Sequence, residues 1–521
     1  MKKTLKYTIA LVACMMMAFQ SCTDLEEETY DQVPVDKYGT TQEQINSLLA
    51  PMYIALRSVF PGSYWEMSEL SSDMSLMPTR KGGDWWDGGV YKELRTHTWD
   101  AENDIVKSVY NSIWSNIAQC NQIYYMIDIS NVADKERTLA EIRGFRAYWY
   151  YLLIDNFGNV PIVTDFLNAD AKPATKTRKE VYNFVLGELN AVKDLLREDV
   201  MNTSKSSYNR MTKGVAYTLL AKLYLNAMVW NPDGGPKWQE CIEACDKVES
   251  LGYTLEPVWK TNFQVTNEVS KEAILSAVFR KSDNWWAGNN LARKTLHYLD
   301  ARALGLQLNC SNGICAMPAF VSSFDPADKR LEGSYLIGAM LDPANGDTIV
   351  TAHGRPLVHT IAVTKKYNLE TNPAPYGWGQ CEQEDGARCY KWVFENALTG
   401  AMENDYHIFR YSDVLLMEAE ARIRKDGPNG ESDNLINQIR SRAFNGNPSK
   451  FLQNATLNDV YKERRFELAW EAFGRQDQIR FGTYLDEIPG WKGTSDVRYL
   501  LFPIPQEALN ANENLTQNPG Y

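Results

Sequence analysis

The chain has 521 residues, enough for a large buried core, and a net charge of −12 that speaks against nucleic acid or anionic lipid headgroups as partners. Length alone suggests two to four domains, although a long helical fold can form one unit. Hydrophobic content of 44 % and charged content of 23 % are those of an ordinary globular protein, and the 15 Trp and 28 Tyr suit stacking on sugar rings as well as packing in large helical cores.

Met1 to Ser21 reads as a leader. Lys2, Lys3 and Lys6 make a basic start, and residues 7–19 form an apolar run of signal-peptide length that is too short to span a membrane. Their removal would take the net charge from −12 to −15. Leu11-Val12-Ala13-Cys14 is the better literal lipobox, but cleavage there leaves a very short leader and an apolar tail. Cys22 is therefore the expected lipidated residue, followed by the acidic run TDLEEE. A cleaved secretory signal with a structural Cys22 is the plainer alternative.

Thr40 to Phe60 is predicted helical. Ser68 to Asp100 is predicted to be an exposed, turn-rich excursion, because four glycines surround the Trp85-Trp86 pair and no period is sustained. Asp104 to Asp128 carries an apolar stripe through Val106, Val109, Ile113, Ile117, Cys120 and Ile127, which predicts a long helix. Glu141 to Phe157 follows as its antiparallel mate. Ile142, Phe145, Trp149, Leu152 and Leu153 form its stripe, Gly144 and Ala147 permit close packing, and Gly158 suits a left-handed stop. Val160 to Thr164 is a brief extended run containing Pro161. A second pair is predicted at Thr177–Glu198 and Thr212–Trp230, then a helix at Lys237–Leu251. Cys241 and Cys245 share one face of that helix and read as small core residues.

From about Gly252 to Asn404 the character changes to Gly-, Pro- and Asn-rich sequence with few helices. A second Trp pair, Trp285-Trp286, lies here in KSDNWWAGNN, and Trp378 lies in NPAPYGWGQ. Cys310 with Cys315, and Cys381 with Cys389, could pair in an oxidising compartment. Helices return at Asp405–Lys425 and Ser432–Arg442. Thr456 with Asp459 makes a capping box, and Arg464 to Glu467 and Glu471 to Arg475 are spaced to pair, with Phe466, Trp470 and Phe473 interleaved so that some pairs lie inside.

Several separate segments carry a resemblance. The leader with Cys22 and TDLEEE, the DWWDGG turn followed by His97-Thr98-Trp99, and the run RAYWYYLLIDNFGNVP are three of them. The helix ERRFELAWE with Asp477-Gln478-Ile479-Arg480, the Pro503-Ile504-Pro505 motif and the terminal QNPGY are the others. Together they resemble the RagB/SusD family of outer-membrane lipoproteins of Bacteroidota, from one end of the chain to the other. The loop-rich middle matches nothing nameable.

The resemblance implies a mainly α fold: a tetratricopeptide-like, right-handed superhelical scaffold of helix pairs with a loop-rich lobe carrying the ligand site. Its parts would be a signal peptide at 1–21, a helical part at about 40–251, the lobe at about 252–404 and a C-terminal helical part at about 405–521. It also implies glycan capture without catalysis, and hand-over to a SusC-like TonB-dependent transporter from the cell surface. Trp85, Trp86, Trp285 and Trp286, with Trp378 behind them, are the candidate stacking platform. Asp84, Asp87, Asn284, Asn289 and Asn290 are candidate hydroxyl partners, and one Trp of each pair is equally able to plug its loop onto the scaffold. Paired Trp hint at an extended β-linked polysaccharide.

Enzyme signatures are missing. The sequence has no G-x-S-x-G, H-E-x-x-H, P-loop or G-x-G-x-x-G motif. The five histidines, His97, His297, His353, His359 and His407, are scattered and read as structural or solvent-facing. Glu382, Glu384 and Asp385 form the tightest acid cluster but read as a solvated loop, and Asp342–Asp347 is a turn without EF-hand spacing. No cofactor and no metal are expected. The alternatives are a helical-repeat protein-binding adaptor and, less favoured, a surface glycosidase.

Overall fold

The computed structural model describes residues 41–80, 84–198, 208–280, 288–363, 381–395 and 398–521. Its helices begin with α1 (Gln42–Ile54), α2 (Ser63–Ser71) and α3 (Val90–Thr96). The scaffold then runs through α4 (Asp104–Ile129), α5 (Lys135–Asn156), α6 (Arg178–Val192), α7 (Lys213–Leu225) and α8 (Trp238–Ser250). Each helix packs on the next: α4 on α5, α5 on α6, α6 on α7, α7 on α8. The predicted helix-pair scaffold is the one observed.

α5 differs from its predicted single stripe. From Glu141 to Asn156 every side chain except Arg143 is buried, because α4 and α6 flank it and the C-terminal segments cover its far side. Gly144 is small for a reason: a β-carbon there would lie 2.8 Å from Met211 Cγ. Gly158, at φ +68°, ends the run, and both Phe157 and Gly158 donate to the Leu153 carbonyl at 2.8 and 3.0 Å. A β-carbon on Gly214 in α7 would meet the Tyr253 hydroxyl at 2.4 Å, so small residues do set the spacing.

Among the described residues, the lobe and the segments at 75–76 and 406–410 that pair with it carry short strands. β1 (Ser75–Leu76), β2 (Ala273–Ala277), β3 (Cys315–Ala316), β4 (Tyr335–Leu336), β5 (Gly338–Ala339), β6 (Val358–His359), β7 (Arg388–Cys389) and β8 (Tyr406–Arg410) form two-stranded antiparallel pairs β1–β3, β2–β8, β4–β7 and β5–β6. The short helix α9 (Leu291–Thr295) lies in the same lobe. β8 runs directly into α10 (Tyr411–Asp426), so the expected helix start at Asp405 is corrected. Tyr406 to Arg410 is fully buried and pairs with β2 instead. Likewise the 68–100 excursion is neither wholly irregular nor exposed throughout: α2 takes its first four residues, α3 takes seven more, and residues 68–80 are buried apart from half-buried Asp73.

α10 packs on α8, then on α11 (Gly430–Ala443) and α12 (Leu457–Glu467), with α13 (Gly474–Phe481) and α14 (Gln506–Ala511) completing the C-terminal part. The Thr456–Asp459 capping box is present. The charges after it are buried, but they do not pair locally. Glu467 meets Arg330, Arg410 and Arg442, and Glu471 meets Lys391 and Arg410. Arg464 meets Asp413 and Asp477, and Arg475 bonds the Leu500 carbonyl at 2.8 Å. The seven described cysteines are free and buried, so neither expected disulfide forms. No helix among the described residues is long and apolar enough to cross a membrane.

Candidate functional site

The turn after β1 is built from residues that favour or tolerate left-handed backbone. Gly88 and Gly89 sit at φ +69° and +96°, and Trp85 and Asp87 also adopt positive φ, at +64° and +39°. A bulky residue in that region carries about 1–3 kcal/mol of strain, which the surroundings must hold. They hold it in two ways. The Trp85 indole N–H donates to the Ser311 carbonyl at 2.6 Å, and its ring stands edge-on to Tyr91 with centroids 5.8 Å apart. A β-carbon on Gly313 would come within 3.0 Å of the same indole. Trp85 therefore plugs the turn onto the lobe. Trp86 is half-buried, lies beside Gly89 and follows the exposed Asp84. Asp84 accepts from the Tyr298 hydroxyl, and Asp87 is exposed at the tip.

Beneath the turn lies Arg80, which sequence reasoning passed over. Its guanidinium is fully buried and donates to the carbonyls of Asn312 at 3.0 Å, Gly313 at 2.9 Å and Asp385 at 2.7 Å. Its own amide donates to the Asp84 carbonyl at 3.0 Å. One side chain thus joins the Trp turn to two other excursions of the lobe. Arg388 lies next to it, donating to Asn312 Oδ1 and to the Gln383 carbonyl, both at 2.8 Å, and burial lowers it to about 10. No sequence signal marks either arginine: the carbonyls that Arg80 binds lie more than two hundred residues away, and Arg388 binds a side chain 76 residues away and a loop carbonyl.

The remaining expected residues divide. Asn289 is fully buried, donates to the Asn404 carbonyl at 3.0 Å and accepts from the Leu291 amide at 3.2 Å. It holds the chain opposite Met402 and is not presented to a ligand, which corrects the expectation for it. Asn290 is half-buried at the start of α9, with its side-chain oxygen buried and unpartnered. Trp285, Trp286, Trp378, Asn284 and Cys22 lie outside the described residues. The structure therefore brings together Asp84, Trp85, Trp86 and Asp87.

Catalytic and metal chemistry find little support in the geometry. His97, His297, His359 and His407 are buried, and burial lowers His297 and His407 to about 3, so both are neutral. His359 is held on Asp300 at 2.8 Å. The expected solvated acid cluster is in fact sequestered: Glu384 and Asp385 are buried, and Glu384 is taken by Arg355. Asp246, Glu249 and Glu418 come close enough to share a cation, but Arg422 already occupies Glu418 at 2.7 Å.

Comparison with known proteins follows the same lines. The SusD family model matches residues 271–521, and the model described as starch-binding, associating with outer membrane, matches residues 25–225. The starch-binding protein SusD of Bacteroides thetaiotaomicron is 26 % identical over 478 residues, covering 84 % of this chain and 82 % of that protein. A SusD-like protein of Bacteroides ovatus is 21 % identical over 508 residues, covering 94 % and 84 %. Among solved structures, surface glycan-binding protein A from Bacteroides thetaiotaomicron in complex with laminarihexaose superposes with TM-score 0.71 at 20 % identity, covering 92 % of this chain and 100 % of that one. A SusD homolog from the same species gives TM-score 0.72 at 21 % identity, covering 95 % and 100 %. The fold is thus that of helical SusD-like proteins. The chain belongs to the SusD-like family.

Proposed function

We propose that this protein captures an oligo- or polysaccharide at the cell surface and hands it, unbroken, to a SusC-like TonB-dependent transporter. The anchor would be a lipid on Cys22 that holds the 22–521 domain on the outer membrane after removal of residues 1–21. The observation that carries the reading is the Asp84–Asp87 turn. It displays a half-buried Trp86 between two exposed carboxylates, on a backbone strained into place and pinned by Trp85 and Arg80. An indole face matches the apolar C–H face of a pyranose, and the carboxylates accept from its hydroxyls. The starch-binding and laminarihexaose-bound relatives support the ligand class. A few shallow contacts of this kind give modest affinity and fast release, which suits transfer onward. In this reading Trp285, Trp286 and Trp378, with Asn284, extend the platform.

The test is native electrophoresis of the protein through gels that each contain one polysaccharide, with the Trp86→Ala variant alongside. Retardation in one gel, reduced about tenfold in apparent affinity by Trp86→Ala and with the polymer recovered intact, is expected. Retardation unchanged in the variant moves the site away from this turn. Shortened polymer overturns the non-catalytic reading.

A further inference from the structure

A groove of about 500 Å³ opens between α4, the chain that follows Val160 and α14, and none of these walls adjoins in sequence a stretch outside the described residues. It shares no element with the Trp85–Trp86 turn. Trp114, Ile117, Ala118, Val163, Phe166 and Leu515 give it an apolar lining. The Trp114 ring is set by two neighbours, Tyr110 and Tyr150, each with its centroid 6.1 Å away. Phe166 stands 5.8 Å from Tyr125, and with the next residue, Leu167, it is exposed, at 43 % and 60 %. The apolar surface therefore continues out of the groove onto the chain beside it.

Most polar side chains of the lining are already turned to the protein. Asn111 donates to Glu507. Asn121 donates to the Val163 carbonyl at 3.0 Å and accepts from Arg146 at 2.9 Å. Asn512 donates to the Pro173 carbonyl at 2.9 Å and accepts from the Asn514 amide at 3.0 Å. A hydroxyl-rich saccharide would find few groups here to bond, so the lining selects an apolar occupant. The charges around it have one sign. Asp165 lines the groove, Asp170 follows the lining residue Ala169, and Glu507 holds Asn111. All three are exposed, and no described lysine or arginine pairs with them. The cations nearby are spent: Lys107 on Asp104 at 2.7 Å, Lys172 on Glu513 at 3.0 Å, and Arg146, behind the wall, on Glu188 at 2.9 Å.

We propose that this groove docks a polypeptide segment of a partner protein, with one aromatic or long aliphatic side chain seated against Trp114 and Phe166 and flanking Lys or Arg residues meeting Asp165, Asp170 and Glu507. A desolvated apolar anchor supplies the affinity, and the charged rim supplies selectivity and speed of encounter. The same carboxylates repel anionic lipid headgroups, and they repel a second copy of this chain, whose net charge is −12. The proposal is independent of the glycan-capture reading and concerns a different face of the scaffold.

Fluorescence anisotropy tests it with three labelled eight-residue peptides. One has a Trp-Leu centre flanked by Lys and Arg, one has the same centre flanked by Glu, and one has a Ser-Asn centre flanked by Lys and Arg. The expected result is that the first binds about tenfold tighter than either of the others in about 50 mM salt, and that its advantage over the Glu-flanked peptide shrinks in about 500 mM salt. Ala118→Gln puts a longer side chain into the groove from an exposed helix position and should weaken that binding about tenfold, with glycan retardation and melting temperature unchanged. Should Ala118→Gln fold poorly, Asp165→Asn/Glu507→Gln decides, because both changes keep an acceptor oxygen and remove only charge. Equal affinities for the three peptides, no binding of the first up to about 1 mM, or binding that both variants keep overturns the proposal. Without the peptide preference, saccharide binding or self-association that is lost in Ala118→Gln also overturns it, and assigns the groove to a sugar or to a second copy instead.

Discussion

Arg80 shows how much of this site depends on one side chain. It bonds the carbonyls of Asn312, Gly313 and Asp385, and a buried carbonyl stripped of its donor costs about 1–3 kcal/mol. A lysine keeps the charge but cannot span the three acceptors. Arg80→Lys should therefore lower unfolding free energy by about 2–4 kcal/mol in urea titrations and weaken glycan retardation as well. Trp86→Ala should separate the two effects, lowering apparent affinity about tenfold while leaving the unfolding free energy within about 1 kcal/mol of the parent, because Trp86 is only half-buried. If both variants lost stability equally, Trp86 would be a second plug and not a platform. At this scale the sequence revealed the aromatic pair and its glycines, since glycine-flanked Trp outside a helical period has few uses. It concealed Arg80 and misplaced Asn289, because their partners are main-chain groups more than a hundred residues distant.

At the scale of single elements, local chemistry was legible wherever it was sufficient. The Thr456 capping box was readable from four residues, and Thr456→Ala should cost about 1 kcal/mol, read as a shift in denaturation midpoint with unchanged slope. Gly158 was readable as a left-handed stop. Its environment adds a second constraint, since a β-carbon there would meet Leu501 Cδ1 at 2.7 Å. Gly158→Ala should thus cost more than the left-handed conformation alone, about 2 kcal/mol in total, and a cost under about 0.5 kcal/mol would mean that α5 ends without needing that geometry. Elements defined by distant partners were not legible. β8 reads as the start of a helix because Tyr406 to Arg410 adjoins a helical period, and only its pairing with β2, some 130 residues earlier, makes it a strand. Two-residue strands such as β4 and β7 have no period to detect.

For the whole molecule, the buried charges decide how the lobe is fixed to the scaffold. Glu272 of the lobe meets Arg410 at 3.0 Å, Arg410 meets Glu471 at 2.7 Å, Glu467 meets Arg442 at 2.8 Å and Arg330 at 3.2 Å, and Lys391 of the lobe closes on Glu471. Removing one member of such a set strands the others in a dry interior, at about 3–5 kcal/mol. Protonation removes members by pH, and the direction can be worked out. Burial pushes Asp413 up, but Lys222 and Arg464 outweigh it and hold it at about 2 against an ordinary 3.8. Glu467, buried among Arg442, Arg410 and Arg330, is also held below its ordinary 4.5. Both contribute stability above those ordinary values and lose it as pH falls through the folded ones. His297 and His407, lowered by burial from 6.5 to about 3, lose stability in the same direction, from pH 6.5 downward. Glu69 acts oppositely. Burial raises it from 4.5 to about 7, so its contribution is complete below pH 4.5 and declines as pH rises through 7. Asp405 behaves alike, from 3.8 to about 7. Between about pH 4.5 and 6.5 the buried histidines, His97 among them, and the carboxyls raised by burial, Glu93 and Glu418 among them, act in opposite directions, so stability should depend on pH less steeply there than below pH 4. Below about pH 4, Glu467, Asp413, His297 and His407 act together, and the slope should steepen to about 4 kcal/mol per pH unit. Urea titrations from pH 3 to 7 measure this directly. A slope below pH 4 that corresponds to a single proton would mean that the buried charges are not held as the structure has them, and that the lobe is fixed to the scaffold by apolar packing alone.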